Sequence, residues 1–531
     1  MKKLLENKYL FPVSVLFADI LFFILVSLCL PIRYGECDDV IMCMIASGLY
    51  TGVPDCHLVF VNAIYGWLIS SMYKLTTAVE WYSVSFAILH VVSMTVVTCC
   101  TLKDKTITKI HKAVFLVFFY VLWTRIILSF QFTTTAGLTC FAGLLMLRKA
   151  DAPPFSKCSD IIIGAALIII SSLIRFSSMG MIVLLFIPLI LFDNGLHLKK
   201  YVPYIIIFFS VISLNFVDKF FYNTPEWKYY LEYNSVRSKI QDNPNTYRLD
   251  IKLPENVSYY DFCMFRGFEG DPNVMTLDVI KDLYDSNYNV GVIDKLGNLG
   301  TLNNYRLVTA MMAALYIVLI ISIKNRKFKL VLSATLFVLL FVLIFLCLDH
   351  YVKNRVFVCC LFPVIYVAMV SMPYFFKKKI LYVFSVIIML LISAKYVKQT
   401  SVAVSNYEDT EKLFSNNMKC LEMYGETKNI IMGLNTESLN PYKIHDELSG
   451  YNIKYNSWLS GCPLNRGFFE SYLDYIDNEI LLLNVDTDVI SDCISDNYGV
   501  EAEAVVVAEY GECKLEKLVR ASSANYNDTV R

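Results

Sequence analysis

The chain has 531 residues, is 56% hydrophobic and has a mean hydropathy of +0.51, more apolar than the roughly 45–50% of soluble domains. Its 47 Lys and Arg balance 47 Asp and Glu. The signs are segregated along the chain with no basic patch of the kind nucleic acid requires, and no Walker, H-E-x-x-H or EF-hand pattern occurs, which excludes nucleic acid as a partner and those phosphate-loop and metal-loop classes. Several apolar stretches reach the ~18–20 residues that a membrane span needs, so the composition is that of a polytopic membrane protein.

The first run, within MKKLLENKYLFPVSVLFADILFFILVSLCL, is longer than a signal-peptide core. No small-x-small cleavage site follows it, so it reads as a retained span. Further apolar runs lie near 81–101, 113–129, 131–147, 159–176, 179–193, 201–217, 304–323, 330–348, 355–372 and 380–396. The run 57–73 is ambiguous, and charge decides it. Lys and Arg crowd the cytoplasmic loops of membrane proteins. If 57–73 does not cross, then Lys2, Lys3 and Lys8, Lys103 to Lys112, Arg148 to Lys157, Lys199 and Lys200, Lys324 to Lys329, and Lys377 to Lys379 all fall on one side. The segments 40–50 and 57–73 are therefore expected as helices on the outer membrane surface. The expected fold class is an all-α polytopic membrane bundle of about 11 transmembrane helices, N-terminus in, with a C-terminal extracytoplasmic α/β domain.

Four regions follow: a transmembrane module at 1–217 (31–80 being its outer loop), a large outer loop at 218–302, further transmembrane helices at 303–396, and the outer domain at 397–531. In that domain NIIMGLN and EILLLNV read as buried strands, EDTEKLFSNNMKCLEMYG as a helix stopped by Gly425, and AVVVAEYGECKLEKLV as a hairpin turning at Gly511. The 16 cysteines contain no C-x-x-C, which speaks against a zinc ribbon. An oxidising compartment would allow disulfides within the group Cys37, Cys43 and Cys56, or within Cys420, Cys462, Cys493 and Cys513.

The chemistry-bearing stretch is RYGECDDVIMCMIASGLYTG, directly after the first run. Glu36, Asp38 and Asp39 are held there at the bilayer edge, where partial desolvation raises a carboxyl toward the range of a general base. Cations occur at the same depth: Arg125 near the end of the third run, Arg175 at the end of the fifth, and His350, Lys353 and Arg355 in DHYVKNR. A guanidinium in a span is costly and usually faces the bundle or a cavity, and its planar fork suits phosphate. Gln131 and Asn354 add neutral donors. Asp261, Glu269 and Asp271 in the large loop offer carboxylates, but their spacing does not demand a ligand. No cofactor is required by the pattern; a divalent metal is compatible with it.

Carboxylates and phosphate-binding cations at membrane level are what chemistry on a lipid-linked phosphate needs. The ECDD after the first span, the membrane-hugging segments at 40–73 and the polar tail at 397–531 resemble the GT-C class of polytopic glycosyltransferases. That resemblance implies a polyprenyl-phosphate-linked sugar donor, a glycan or lipid acceptor on the outer face of the plasma membrane, Asp38 or Asp39 as the base, and Arg175, His350 and Arg355 as donor-phosphate ligands. The alternatives are a transporter or flippase of lipid-linked glycans, which would gather polar groups at mid-depth, and a non-enzymatic subunit of an envelope-assembly complex.

Overall fold

The computed structural model describes residues 9–104, 107–150, 158–243, 246, 250–291, 295–349, 351–372, 379–425, 429–432, 439–455, 461–465 and 468–521. Among these, nine helices are long and apolar enough to cross a membrane, from Leu10–Cys29 to the helix beginning near Val383. The run Cys158–Asn194 is a single helix only in outline. Its backbone breaks at Arg175, with φ −156° and ψ 98°. Contacts along the helix Phe132–Ala150 show what the break does. Gly164 lies against Gly143 and Leu147, and Ser171 Oγ donates to Ala136 O. Beyond the break, Ser178 Oγ donates to Thr133 O, Phe186 packs on Phe141, and Asp193 pairs with Arg148. The chain climbs one side of Phe132–Ala150, reverses at Arg175 and descends again. The two runs 159–176 and 179–193 are thus the arms of a hairpin. Close packing at its base needs small residues: a Cβ on Gly143 would lie 2.7 Å from Gly164 O.

Ala63–Leu75 has 13 residues and is not among the spans. It exposes Trp67, Leu68 and Leu75, as a helix lying on a surface does. Cys37–Ser47 is different from expectation. Every residue from Asp39 to Ser47 is buried, because Ala63–Leu75, Trp81–Lys103 and the helix Ile444–Leu448 of the C-terminal domain pack on it; just beyond it Tyr50 Oη donates to Asn465 Oδ1 at 2.5 Å, and Lys454 Nζ donates to Tyr50 O. A second departure is Asp19, a fully buried carboxylate in the middle of Leu10–Cys29 where hydropathy suggested only apolar packing. Tyr120 Oη and Thr95 Oγ1 bind its two oxygens, so it is a polar tie between three helices.

The expected boundary at 396/397 is not a break in the backbone. Lys379–Tyr424 is one helix of 46 residues, with no Gly or Pro to interrupt it. It ends at Gly425, which takes the left-handed conformation (φ 72°). A five-stranded sheet follows, in the order β4-β3-β5-β7-β6 (β3 Asn429–Met432, β4 Asn452–Tyr455, β5 Leu481–Leu483, β6 Ala502–Tyr510, β7 Cys513–Arg520). The pairs β3–β4 and β3–β5 are parallel; β5–β7 and β6–β7 are antiparallel, the last turning at Gly511 (φ 64°). All 16 cysteines are free thiols, including both groups that an oxidising compartment would allow to cross-link. Two acids of the large loop, Asp261 and Asp271, are structural. Asp261 closes a capping box with Ser258 and accepts from Asn497, and Asp271 accepts from Tyr498 Oη and Tyr472 N.

Candidate active site

A two-residue parallel pairing builds the site. In β1 (Arg33–Tyr34) and β2 (Ser129–Phe130), Arg33 is opposite Ser129 and Tyr34 opposite Phe130. This pins the segment after the first span beside the start of Phe132–Ala150. The next helix, Cys37–Ser47, then begins under that N-terminus. There Asp39 Oδ1 accepts the Phe132 main-chain N–H at 2.9 Å and the Tyr82 hydroxyl at 3.0 Å. A carboxyl at a helix N-terminus meets N–H groups that the helix itself cannot satisfy. Asp39 is fully buried, and its Oδ2 has no hydrogen-bond partner among the described residues. Burial, reinforced by the charge of Asp38, holds its carboxyl well above the usual carboxylate range, against the pull of the Phe132 and Tyr82 bonds.

Arg355, at the start of Asn354–Ser371, reaches across to this segment. Its guanidinium lies 2.9 Å from Glu36 Oε1 and 3.6 Å from Asp38 Oδ2. Burial raises the Glu36 carboxyl, and the Arg355 charge opposes that. Arg175, at the hairpin tip, has a different environment. Its guanidinium donates to Phe60 O at 3.3 Å and lies 5.2 Å from the Phe132 ring centroid and 5.7 Å from that of Phe60. No carboxylate forms an ion pair with it among the described residues, yet Arg355, Asp38, Asp39 and Asp242 are all within electrostatic reach. Lys353 pairs with Asp242 at 3.1 Å. Residues from four distant parts of the chain therefore meet at one end of the bundle.

The other candidates are placed less directly. Arg125 donates to Ser129 Oγ, which is bonded to Tyr407 of the long helix, and it serves the joint between bundle and domain. Gln131 is buried with its side-chain amide nitrogen unpartnered among the described residues, and its main-chain carbonyl accepts from the hydroxyls of Thr134 and Thr135. Asn354 is exposed, and His350 lies outside the described residues. Sequence reasoning missed Tyr82, Asp242 and the Phe132 N–H. Only Tyr82 had a local signal, an aromatic hydroxyl at the mouth of a span. For metal ions, the described His, Cys and carboxylate groups close enough to share one are Asp55, Cys56 and His57. Both His57 nitrogens are already used, Nδ1 on Asp55 at 2.7 Å and Nε2 on Phe221 O at 3.1 Å.

No family model and no curated protein sequence matches the chain. Among solved structures, it is similar to ArnT from Cupriavidus metallidurans bound to undecaprenyl phosphate. Identity is 9% and the TM-score 0.51, with 95% of this chain and 97% of that chain covered. The fold is that of the GT-C class. The apo state of ArnT aligns over the same shares at 10% identity with a TM-score of 0.41. The GT-C likeness spans both the helical bundle and the C-terminal domain, so the resemblance read from the first outer segment extends to nearly the whole chain.

Proposed function

We propose that the protein is a membrane glycosyltransferase that moves a sugar or sugar-like group from a polyprenyl-phosphate donor to a glycan or lipid acceptor at the outer face of the plasma membrane. The observation that carries this reading is the placement of Arg175 and Arg355 beside Asp38. The helix start brings the Arg355 guanidinium onto Asp38, and the hairpin tip brings that of Arg175 within electrostatic reach of it, with no ion-pair partner for Arg175 among the described residues. Asp38 retains some exposure, 17% of its side chain, whereas Asp39 has none. Asp38 is therefore assigned as the base and Asp39 as the residue that positions it. In the step, Asp38 takes the proton of the acceptor hydroxyl and the hydroxyl oxygen bonds to the anomeric carbon. The bond from that carbon to the donor phosphate breaks, and the charge left on polyprenyl phosphate is met by Arg175 and Arg355. The segregation of basic loops to the opposite end of the bundle supports an outer-face site.

Binding tests the reading directly. Purified protein in nanodiscs is expected to retain undecaprenyl phosphate in native mass spectrometry and to lose it in Arg175→Ala and Arg355→Ala. Undecaprenol, which lacks the phosphate, should not be retained. Equal retention of the two lipids by the wild type would refute the assignment.

A further inference from the structure

The C-terminal domain meets the first outer segment at a cavity separate from the carboxylates. It measures about 560 Å³ and is lined by the loop 48–52 on one side and by residues around the start of β3 and β4 on the other. Asp38 is in the first turn of the helix Cys37–Ser47 and the cavity begins at Gly48, just past its other end. At ~1.5 Å rise per residue the two are about 15 Å apart along the helix. The lining is unusual in one respect. Lys454, on β4, is 93% buried (7% exposed), and no carboxylate pairs with it among the described residues. Its ammonium has three N–H donors. One goes to Tyr50 O, and the charge lies 4.0 Å from the Tyr50 ring centroid and 5.2 Å from that of Phe468. A buried cation without an anion is costly unless something neutralises it.

The rest of the lining is built for a polar ligand. Gly48 and Gly52 take left-handed conformations (φ 88° and 79°), and Gly52 and Gly450 have open space where a Cβ would stand. Gly52 and Gly450 keep the cavity clear of side chains, while the Gly48 and Gly52 N–H groups are used within the loop, on Ile45 O and Gly48 O. Asn452 is exposed there beside Asn429, and Tyr451 adds an aromatic face. We propose that this seam is a binding site for an acidic saccharide, its anionic group on Lys454, its hydroxyls on Asn452 and a ring face on Tyr451. The volume is that of a small-molecule site, much larger than a lone phosphate would fill. The inference does not depend on the chemistry assigned to Asp38.

Full-length protein in nanodiscs, titrated calorimetrically with trigalacturonic acid, maltotriose and inorganic phosphate, tests it. Saturable binding of trigalacturonic acid is expected, with maltotriose weaker by at least about tenfold, or ~1.4 kcal/mol. Lys454→Met should lose a similar factor. Asn452→Asp sets a carboxylate in the cavity at an exposed position, so it should fold normally and also weaken the acidic ligand while sparing maltotriose. Equal binding of acidic and neutral trisaccharides, no effect of either variant, or no saturable saccharide binding would each overturn the proposal. So would tight binding of inorganic phosphate without the acidic saccharide, which would make the seam a simple anion site.

Discussion

Asp39 accepts a hydrogen bond from the main-chain N–H of Phe132 at 2.9 Å, joining the segment after the first span to the first turn of a helix 93 residues further on. The bond ties an acidic side chain, with no exposure, to the element against which the Arg175 hairpin packs. Asp38, one residue earlier, faces Arg355 instead. Adjacent carboxyls thus have separate tasks, and substitution should separate them. Asp39→Ala leaves the Phe132 N–H and the Tyr82 hydroxyl without their acceptor and should cost about 1–3 kcal/mol in thermal unfolding, with Asn at the same position costing less. Asp38→Asn should leave the melting temperature near wild type while lowering sugar transfer by roughly 100- to 10,000-fold.

Arg355 spans Glu36 and Asp38 with one guanidinium. Lysine carries the charge without the fork. Arg355→Lys is therefore expected to reduce transfer by more than about tenfold, through a lower kcat rather than a higher acceptor KM. Steady-state kinetics in proteoliposomes distinguish the two.

At the hairpin base, Gly143→Val would drive a side chain into Gly164 O and Ile168. Overpacking of this kind costs about 1–3 kcal/mol and shifts the arm that carries Arg175. Thermal unfolding should fall, and retention of undecaprenyl phosphate should fall with it. A drop in stability with lipid retention unchanged would uncouple the hairpin from the site.

The joint between bundle and domain should rest on buried rather than exposed polar contacts. Glu80, buried, accepts from Tyr73 Oη at 2.8 Å and from the His445 N–H at 2.5 Å. Its replacement by Ala should cost about 1–3 kcal/mol. The Arg33–Glu411 pair has a partner that is 64% exposed, so Glu411→Ala should cost less than about 1 kcal/mol.

His57 gives the pH dependence. Its bonds to Asp55 raise its pKa from 6.5 to about 10, against desolvation by burial, while its ring stacks on Trp227 at 4.9 Å. A group that binds its proton more tightly when folded contributes its full stability below pH 6.5 and loses it as the pH rises to about 10. The difference in melting temperature between wild type and His57→Gln should therefore be largest near pH 6 and shrink toward pH 10.

Much of this was legible in the residues. Apolar runs marked the helices, and the short interval between 159–176 and 179–193 marked the reversal at Arg175. Gly425 and Gly511 marked where the domain's helix ends and its hairpin turns. Glu36, Asp38, Arg175 and Arg355 carry chemistry visible without coordinates. The pairing of Asp39 with a main-chain N–H was hidden, because an amide donor has no signature in the sequence. Asp242 was hidden because one acid in a polar loop resembles any other. Hydropathy also misled at 397: a change of solvent is not a change of backbone, and the absence of Gly and Pro from 379 to 424 was the better guide. Cys37–Ser47 was placed on a surface because its apolar residues were matched to lipid, whereas protein covers them.

The unbroken helix Lys379–Tyr424 has a mechanical consequence. At ~1.5 Å per residue it is a rod of about 69 Å, embedded at one end in lipid and carrying the sheet at the other. Without a hinge along it, the tilt imposed by hydrocarbon thickness is transmitted directly to the far end. Changes in the lipid are thereby coupled to the seat of the domain on the bundle, where the contacts of Glu80 with His445 and of Lys454 with Tyr50 must bear the load.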